Sequence, residues 1–314
     1  MYDLIPAASN TLVQHDYNRL VAQWLSGRKD TTLNTYKSAL RDFAAWLDVR
    51  SMAEVAESLL TLDAGQANAK ILDYKNALIA RELAPGTVNL RLAAIRSLVS
   101  LAAMLGIVSW TVRIKGLKQR VYRDTRGPGA DGYRSIVSNL DTTTKPGKRD
   151  AAIVRLLYVL GLRRGEVVSL DLEDVDFSAG RVEILGKGRL QKEWVTIPPE
   201  TLETLREWVD ARGWHCGPLF VSLARGSYGK RLTGRSVASV VQKAGVAAEL
   251  DRPVRPHGLR HAAITELRDQ GASDRDVIRF SRHRSPDVLQ YYDDNRDDIA
   301  GRLATKLEIL DESR

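Results

Sequence analysis

Pro256-His257-Gly258-Leu259-Arg260-His261 opens the stretch that decides how this chain is read. It continues through Phe280-Ser281-Arg282-His283-Arg284-Ser285-Pro286-Asp287 and closes on Gln290-Tyr291-Tyr292. Proline suits the first helical turn, so Pro256 and Ser285-Pro286 mark two helix starts. Gly271 stops a helix, and Ser273 with Asp276 three residues on forms a capping box with Asp in place of Glu. His257 and Arg260 stand three apart and share a helix face. The expectation is a pocket for one phosphate, built on consecutive short helices.

Working outward, the N-terminal third is helical. Leu12, Tyr17, Leu20, Val21, Trp24 and Leu25 make one amphipathic pattern, and Leu33, Tyr36, Leu40, Phe43, Trp46 and Leu47 a second. Those aromatics fall on one stripe, which reads as helix core rather than a base-stacking platform. A third helix fits 66–82, broken by Ala84-Pro85-Gly86, and a fourth runs to Leu105. Arg91 and Arg96 on that fourth helix are candidate phosphate contacts. Residues 113–130 change character: Arg113, Lys115, Lys118, Arg120, Arg123 and Arg126 alternate with apolar residues and glycine. A basic segment of this kind can follow a duplex and gain affinity by counterion release, without reading sequence. Beyond it, 150–160 is an apolar helix ending at Gly161. Strands fit 175–177, 181–185 and 193–197, with Gly186-Lys187-Gly188-Arg189 as a hairpin turn. Helices fit 199–212 and 233–248, and Ile299, Leu303, Leu307 and Leu310 stripe a terminal helix. The fold class is mainly α with a small antiparallel β-sheet.

Composition bounds the partners. The chain carries 47 Lys+Arg against 39 Asp+Glu, a net +8, which favours a polyanion such as nucleic acid. Its lone Cys216 excludes an intrachain disulfide and fits a reducing compartment. Met1-Tyr2-Asp3-Leu4 lacks the basic start of a signal peptide. The near-apolar run from Leu98 to Val108 is too short to cross a bilayer. A cytoplasmic protein with no membrane partner is expected.

The chemistry follows from the residue types. Displacement at a phosphodiester places spread negative charge on the non-bridging oxygens, so positioning and electrostatic stabilisation dominate. The planar arginine fork binds two oxygens and keeps its charge. Arg163, in the turn after Gly161-Leu162, and Arg260 are the candidates, while Arg164 points elsewhere. A tyrosine is the nucleophile; with a pKa of about 10 it is roughly one part in a thousand ionised at pH 7. It therefore needs a neighbour to take its proton, and His257 can do so. His283 can donate to the phosphate. Lys187 can protonate the leaving 5′ oxygen.

At these residues the sequence resembles the tyrosine recombinase (lambda-integrase) family, especially its Xer-type members. The resemblance lies in 161–170 (Gly-Leu-Arg-Arg-Gly-Glu-Val-Val-Ser-Leu), in Lys187 on its hairpin, in 257–261, and in His283 to Tyr292. It implies that Arg163, Lys187, His257, Arg260, His283 and Tyr292 are catalytic, that Glu166 supports the site, and that His261 packs beside it. It implies a helical, SAM-like core-binding domain at 1–112, a linker at 113–130 and a catalytic domain at 131–314, and no arm-binding domain ahead of them. No cofactor and no metal is implied. The expected partners are double-stranded DNA target sites and further copies of the chain, four on DNA, joined through the C-terminal helix; a second recombinase or accessory protein stays open. The implied reaction is transesterification through a 3′-phosphotyrosyl bond that conserves the strand's bond energy. Two departures stand out. Ser281-Arg282 replaces the family's usual Leu-Gly, making Arg282 a candidate DNA contact. Tyr291 and Tyr292 are adjacent and point about 100° apart on a helix, with Gln290 favouring Tyr292.

Three other readings compete. His257 and His261 have the i, i+4 spacing of zinc ligands, but no glutamate or cysteine set completes a site. A type IB topoisomerase would relax one duplex by the same chemistry. A non-catalytic DNA-binding regulator would have lost a site residue.

Overall fold

The computed structural model describes residues 16–28, 30–118, 127–186 and 191–282. Contacts divide the chain into two compact units, Met1–Arg120 and Val121–Arg314. Lys187, His283, Tyr291, Tyr292, Arg120, Arg123 and the stripe at 299–310 lie outside the described residues.

Among the described residues, five helices build the first unit: α1 (Tyr17–Leu25), α2 (Asp30–Leu47), α3 (Met52–Leu60), α4 (Ala64–Ala80) and α5 (Pro85–Met104). Polar side chains close their open first turns. Asp16 accepts from Arg19 N at 3.0 Å and Asp63 from Gln66 N at 2.8 Å. Ser51 and Glu54 cap α3 reciprocally, Ser51 Oγ accepting from Glu54 N at 3.1 Å and Glu54 Oε2 from Arg50 N at 3.0 Å. Trp24, Leu40, Phe43, Ile71, Tyr74 and Leu92 fill the core. The stripe of aromatics is indeed core, with Phe43 and Tyr74 ring centres 4.6 Å apart. Helix α3 was not foreseen; at nine residues it gives little periodicity to read. Helix α5 is long and apolar enough to cross a membrane. Here it packs Val88, Leu92, Ile95, Leu98 and Val99 into the core.

The residues after α5 are strapped to the unit by its own side chains. Asn89 grips Leu117 at both ends, accepting from its N at 2.7 Å and donating to its O at 2.9 Å. Arg96 donates to Ile114 O at 2.9 Å, Lys75 to Lys115 O at 3.0 Å, and Arg113 N donates to Asn68 Oδ1 at 2.8 Å. Residues 113–118, expected as the start of a linker, thus lie along α4 and α5.

The second unit holds α6 (Gly129–Ser138), α7 (Lys145–Val159), α8 (Arg164–Ser169), a three-stranded sheet, α9 (Pro199–Arg212), α10 (Gly234–Ala247), α11 (Pro256–Asp269) and α12 (Asp274–Ser281). Strands β1 (Val175–Asp176), β2 (Arg181–Ile184) and β3 (Glu193–Thr196) pair antiparallel in chain order, with Val182 opposite both Val175 and Val195. Helix α7 is central. Its Ile153, Val154, Leu156 and Leu157 are buried all round, and it packs on α9 and α11. Trp208 of α9 reaches the same core and still satisfies its indole N–H on Leu219 O at 2.9 Å. Burying α7 on every side fixes where its C-terminal end emerges, and the candidate site begins there.

Candidate active site

Helix α7 ends in a left-handed turn at Gly161, φ +54°. Glycine is required there twice over. The backbone conformation is one that side-chain-bearing residues rarely adopt, and a Cβ at 161 would meet Phe280 Cε1 at 2.7 Å. The turn closes with Leu162 N donating to Leu156 O at 3.1 Å, and Leu162 is fully buried. Arg163 follows as the residue that precedes α8, in extended conformation, and its side chain leaves the helical path.

Glu166 holds Arg163 from within the first turn of α8. Its Oε2 accepts from Arg163 N at 2.8 Å and its Oε1 from Arg163 Nη1 at 2.8 Å. The carboxylate is 4% exposed while the Arg163 side chain is 25% exposed, so the pair is anchored inside and open outside. Burial pushes the Glu166 carboxyl up, but the Arg163 N–H and the charges of Arg282 and Arg163 outweigh it and hold it below the usual carboxylate range. Arg164 is exposed and lies against the start of α10, beside Gly234.

Arg260 comes from the second turn of α11, a helix whose backbone Pro256 presets at its start. It is fully buried; Nη1 donates to Gly161 O and Nη2 to Ser281 O. The carbonyl exposed by the glycine turn is therefore the docking point for the second arginine. His257 stands one turn earlier at the exposed start of α11. Crowding by surrounding protein atoms, and then the charges of Arg260, His261 and Arg163, depress its pKa to about 4. Its imidazole is neutral at neutral pH but a weak base while Arg260 and Arg163 face it alone; a phosphate anion between those arginines would offset their charge and raise its basicity. His261 is buried, with Nδ1 3.3 Å from Thr265 Oγ1.

Arg282 ends α12 in left-handed conformation, φ 53°. That backbone turns its side chain inward. Nη2 donates to Gly161 O at 3.1 Å, Leu160 O at 3.2 Å and Glu166 Oε2 at 3.3 Å, and Nη1 to Phe280 O at 3.0 Å. Its own carbonyl accepts from Arg163 Nη2 at 3.1 Å. With the side chain 4% exposed, Arg282 faces the protein, which corrects its reading as a DNA contact. Sequence reasoning marked the position as unusual but had no signal for this inward turn.

The structure thus gathers Arg163, Glu166, Arg260 and Arg282 around one glycine turn, with His257 near enough to feel the charges of Arg260 and Arg163. Lys187 and His283 to Tyr292 fall outside the described residues. On the base of the hairpin, Lys192 is paired with Asp174 and lies 3.9 Å from Glu183, so that lysine is tethered. Among the described residues, no three His, Cys, Asp or Glu side chains converge as a metal-ligand set. In the first unit, Arg91 is 2.9 Å from Asp42 with its side chain 17% exposed, and Arg96 holds Ile114 O. Arg91 thus braces the unit's interior, which corrects its reading as a phosphate contact, while Arg96 is exposed. Lys115 and Lys118 are exposed.

Residues 130–298 match the model of the phage integrase family. The chain belongs to that family. Among its relatives, the tyrosine recombinase slr0733 of Synechocystis sp. is 36% identical, covering 86% of this chain and 88% of the relative. Tyrosine recombinase XerC of Corynebacterium efficiens is 29% identical over 85% of this chain and 81% of its own. A lambda integrase tetramer bound to a Holliday junction shares the fold at TM-score 0.63 and 18% identity, over 89% of this chain and 78% of that one. In this phage integrase the matched span opens one residue into α6 and contains the glycine-centred arginine cluster.

Proposed function

We propose that this tyrosine recombinase cuts and rejoins double-stranded DNA at specific sites through a 3′-phosphotyrosyl intermediate. One observation carries the reading. Arg163 and Arg260 come from helices far apart in sequence, yet each binds a carbonyl of the same small loop cluster, Gly161, Ser281 or Arg282. Residue 283 follows that cluster directly in sequence, and Tyr292 is nine positions further on. Two guanidinium groups at one place suit the spread charge of a pentacoordinate phosphorus.

The Tyr292 phenol oxygen bonds to phosphorus, and the bond from phosphorus to the 5′ oxygen breaks. The phenol proton passes to neutral His257, and Lys187 protonates the leaving oxygen. His283 donates to a non-bridging oxygen, and His261 packs behind. The bond count is unchanged, so a second 5′ hydroxyl reverses the step on a new strand without ATP or metal. Lys115, Lys118, Arg120 and Arg123 follow the DNA backbone, with affinity that falls as salt rises. The Ile299-Leu303-Leu307-Leu310 stripe joins protomers into a tetramer, consistent with the lambda integrase tetramer that shares this fold. The site of action is the cytoplasm. Integration, excision and dimer resolution all fit this chemistry.

The test traps the intermediate. Covalently held DNA ends, mapped across the source genome, supply a nicked duplex on which the adduct is then measured. Tyr292→Phe abolishes it and Tyr291→Phe leaves it; the reverse pattern would reassign the nucleophile. Cleavage proceeds in excess chelator, and a divalent-ion requirement for the chemical step would overturn the mechanism.

A further inference from the structure

We infer that Arg282 is a positioning residue for Arg163 and Arg260: its buried guanidinium and its own carbonyl tie together the groups that hold those two arginines. The inference rests on the proposed reading that those two arginines grip the scissile phosphate.

Three observations carry it. First, Arg282 touches nearly every group that holds the two arginines. Glu166 Oε2 receives both the Arg163 N–H and Arg282 Nη2. Gly161 O receives both Arg260 Nη1 and Arg282 Nη2. The Arg282 carbonyl itself receives Arg163 Nη2. Second, the charge count changes with it. Arg163 and Glu166 alone sum to zero; Arg282 adds a positive charge, and Glu193 Oε1, 3.9 Å from Arg282 Nε, sets a second carboxylate against it. Of the two guanidinium groups on Glu166, Arg163 is the one open to solvent, at 25% against 4% for Arg282. Third, the contacts span the site's supports. Arg282 joins the end of α7 through Leu160 and Gly161, α8 through Glu166, and β3 through Glu193 Oε1 at 3.9 Å. A side chain this buried cannot reach a duplex, so it acts through the groups it holds.

The backbone at 282 offers a clean perturbation. Glycine adopts the left-handed conformation without strain, so Arg282→Gly removes the guanidinium while keeping the turn. Arg282→Met removes charge and keeps length, and Arg282→Lys keeps charge. Single-turnover adduct formation and equilibrium binding are measured on the mapped nicked duplex, alongside Arg163→Ala. Arg282→Gly and Arg282→Met are expected to slow adduct formation at least about tenfold, as loosened catalytic geometry does, while duplex affinity stays within about twofold. Arg282→Lys restores most of the rate. Thermal melting of each variant separates lost folding from lost positioning, since Arg282→Gly retains the folded transition.

Three outcomes overturn the inference. Arg282→Met at the wild-type rate does so if Arg163→Ala is inactive, and the reading of the site then survives. Equal losses of affinity and rate would make Arg282 a DNA contact instead. An active Arg163→Ala, or a wild-type chain forming no adduct, takes the site reading and this inference down together.

Discussion

Each unit of this molecule contains one carboxylate held by two arginines, and the two arrangements end differently. In the first, Asp42 of α2 accepts from Arg81 through both oxygens at 3.0 Å, pairs with Arg91 at 2.9 Å, and takes the Tyr74 hydroxyl at 2.8 Å. Those partners come from α4, from its C-terminal end and from α5, so the carboxylate closes a seam between three helices. In the second, Glu166 takes Arg163 and Arg282, and the cluster includes a left-handed residue and a glycine turn. The first clasp uses its carboxylate to join helices, with Arg81 47% exposed on the outer side. The second leaves Arg163 partly open at the mouth of a cluster that also depresses His257. One lesson follows: an arginine's role is set by what its counter-ion is also holding.

Breaking the second clasp should affect chemistry, and breaking the first should affect stability. The largest effect is expected for Arg163→Ala or Arg260→Ala: adduct formation falls by about 10² to 10³, the range seen on deleting one transition-state donor, with duplex affinity nearly unchanged. Equal losses in rate and affinity would reduce both arginines to anchoring contacts. Gly161→Ala comes next. Its Cβ collides with Phe280 and its φ is unfavourable, so a loss of about 2 kcal/mol in stability should accompany slower cleavage, read by denaturant melts and the adduct assay.

Asp42→Asn should destabilise the chain by about 1–3 kcal/mol, because Arg91 and Tyr74 lose their charged partner in a largely enclosed seam. Adduct formation at saturating protein should be unchanged, and a rate defect would dissolve the contrast between the clasps.

The smallest effect is a pH dependence. Burial raises the Asp42 carboxyl, but bonds from Arg81 and Tyr74 and the Arg91 charge bring it below its ordinary value. Glu166 is lowered likewise. Folded carboxylates with depressed pKa contribute stability that is present above the unfolded values, near pH 4, and lost as pH falls through the folded ones. The depressed His257 adds a milder loss as pH falls from about 6.5 towards 4, since only the unfolded chain takes up that proton. His257→Gln should remove the upper part of this decline in melts run across pH 4–7; an unchanged curve would show that His257 titrates normally.

Much of this was legible in the sequence. Period and punctuation gave α2, α4, α5, α7 and the three strands within a few residues, because their apolar faces are long or their turns carry glycine and proline. The arginines of the site were legible through Gly161 and Pro256, which mark where side chains leave helices. Arg282 was not, because a left-handed backbone at a non-glycine residue leaves no local signature. Arg91 was misplaced for a related reason: its partner, Asp42, is remote in sequence, so it looked like an ordinary surface charge.

The contact between the bare turn at 161 and the ring of Phe280 ties the fates of two distant codons. A side chain added at the first site collides unless the second shrinks, and a smaller residue at the second leaves a void unless the first grows. Libraries that randomise either codon alone should therefore return mostly the parental residue. Randomising both together, with asparagine allowed at 161 for its tolerance of left-handed backbone, is how a functional alternative to this glycine would be found.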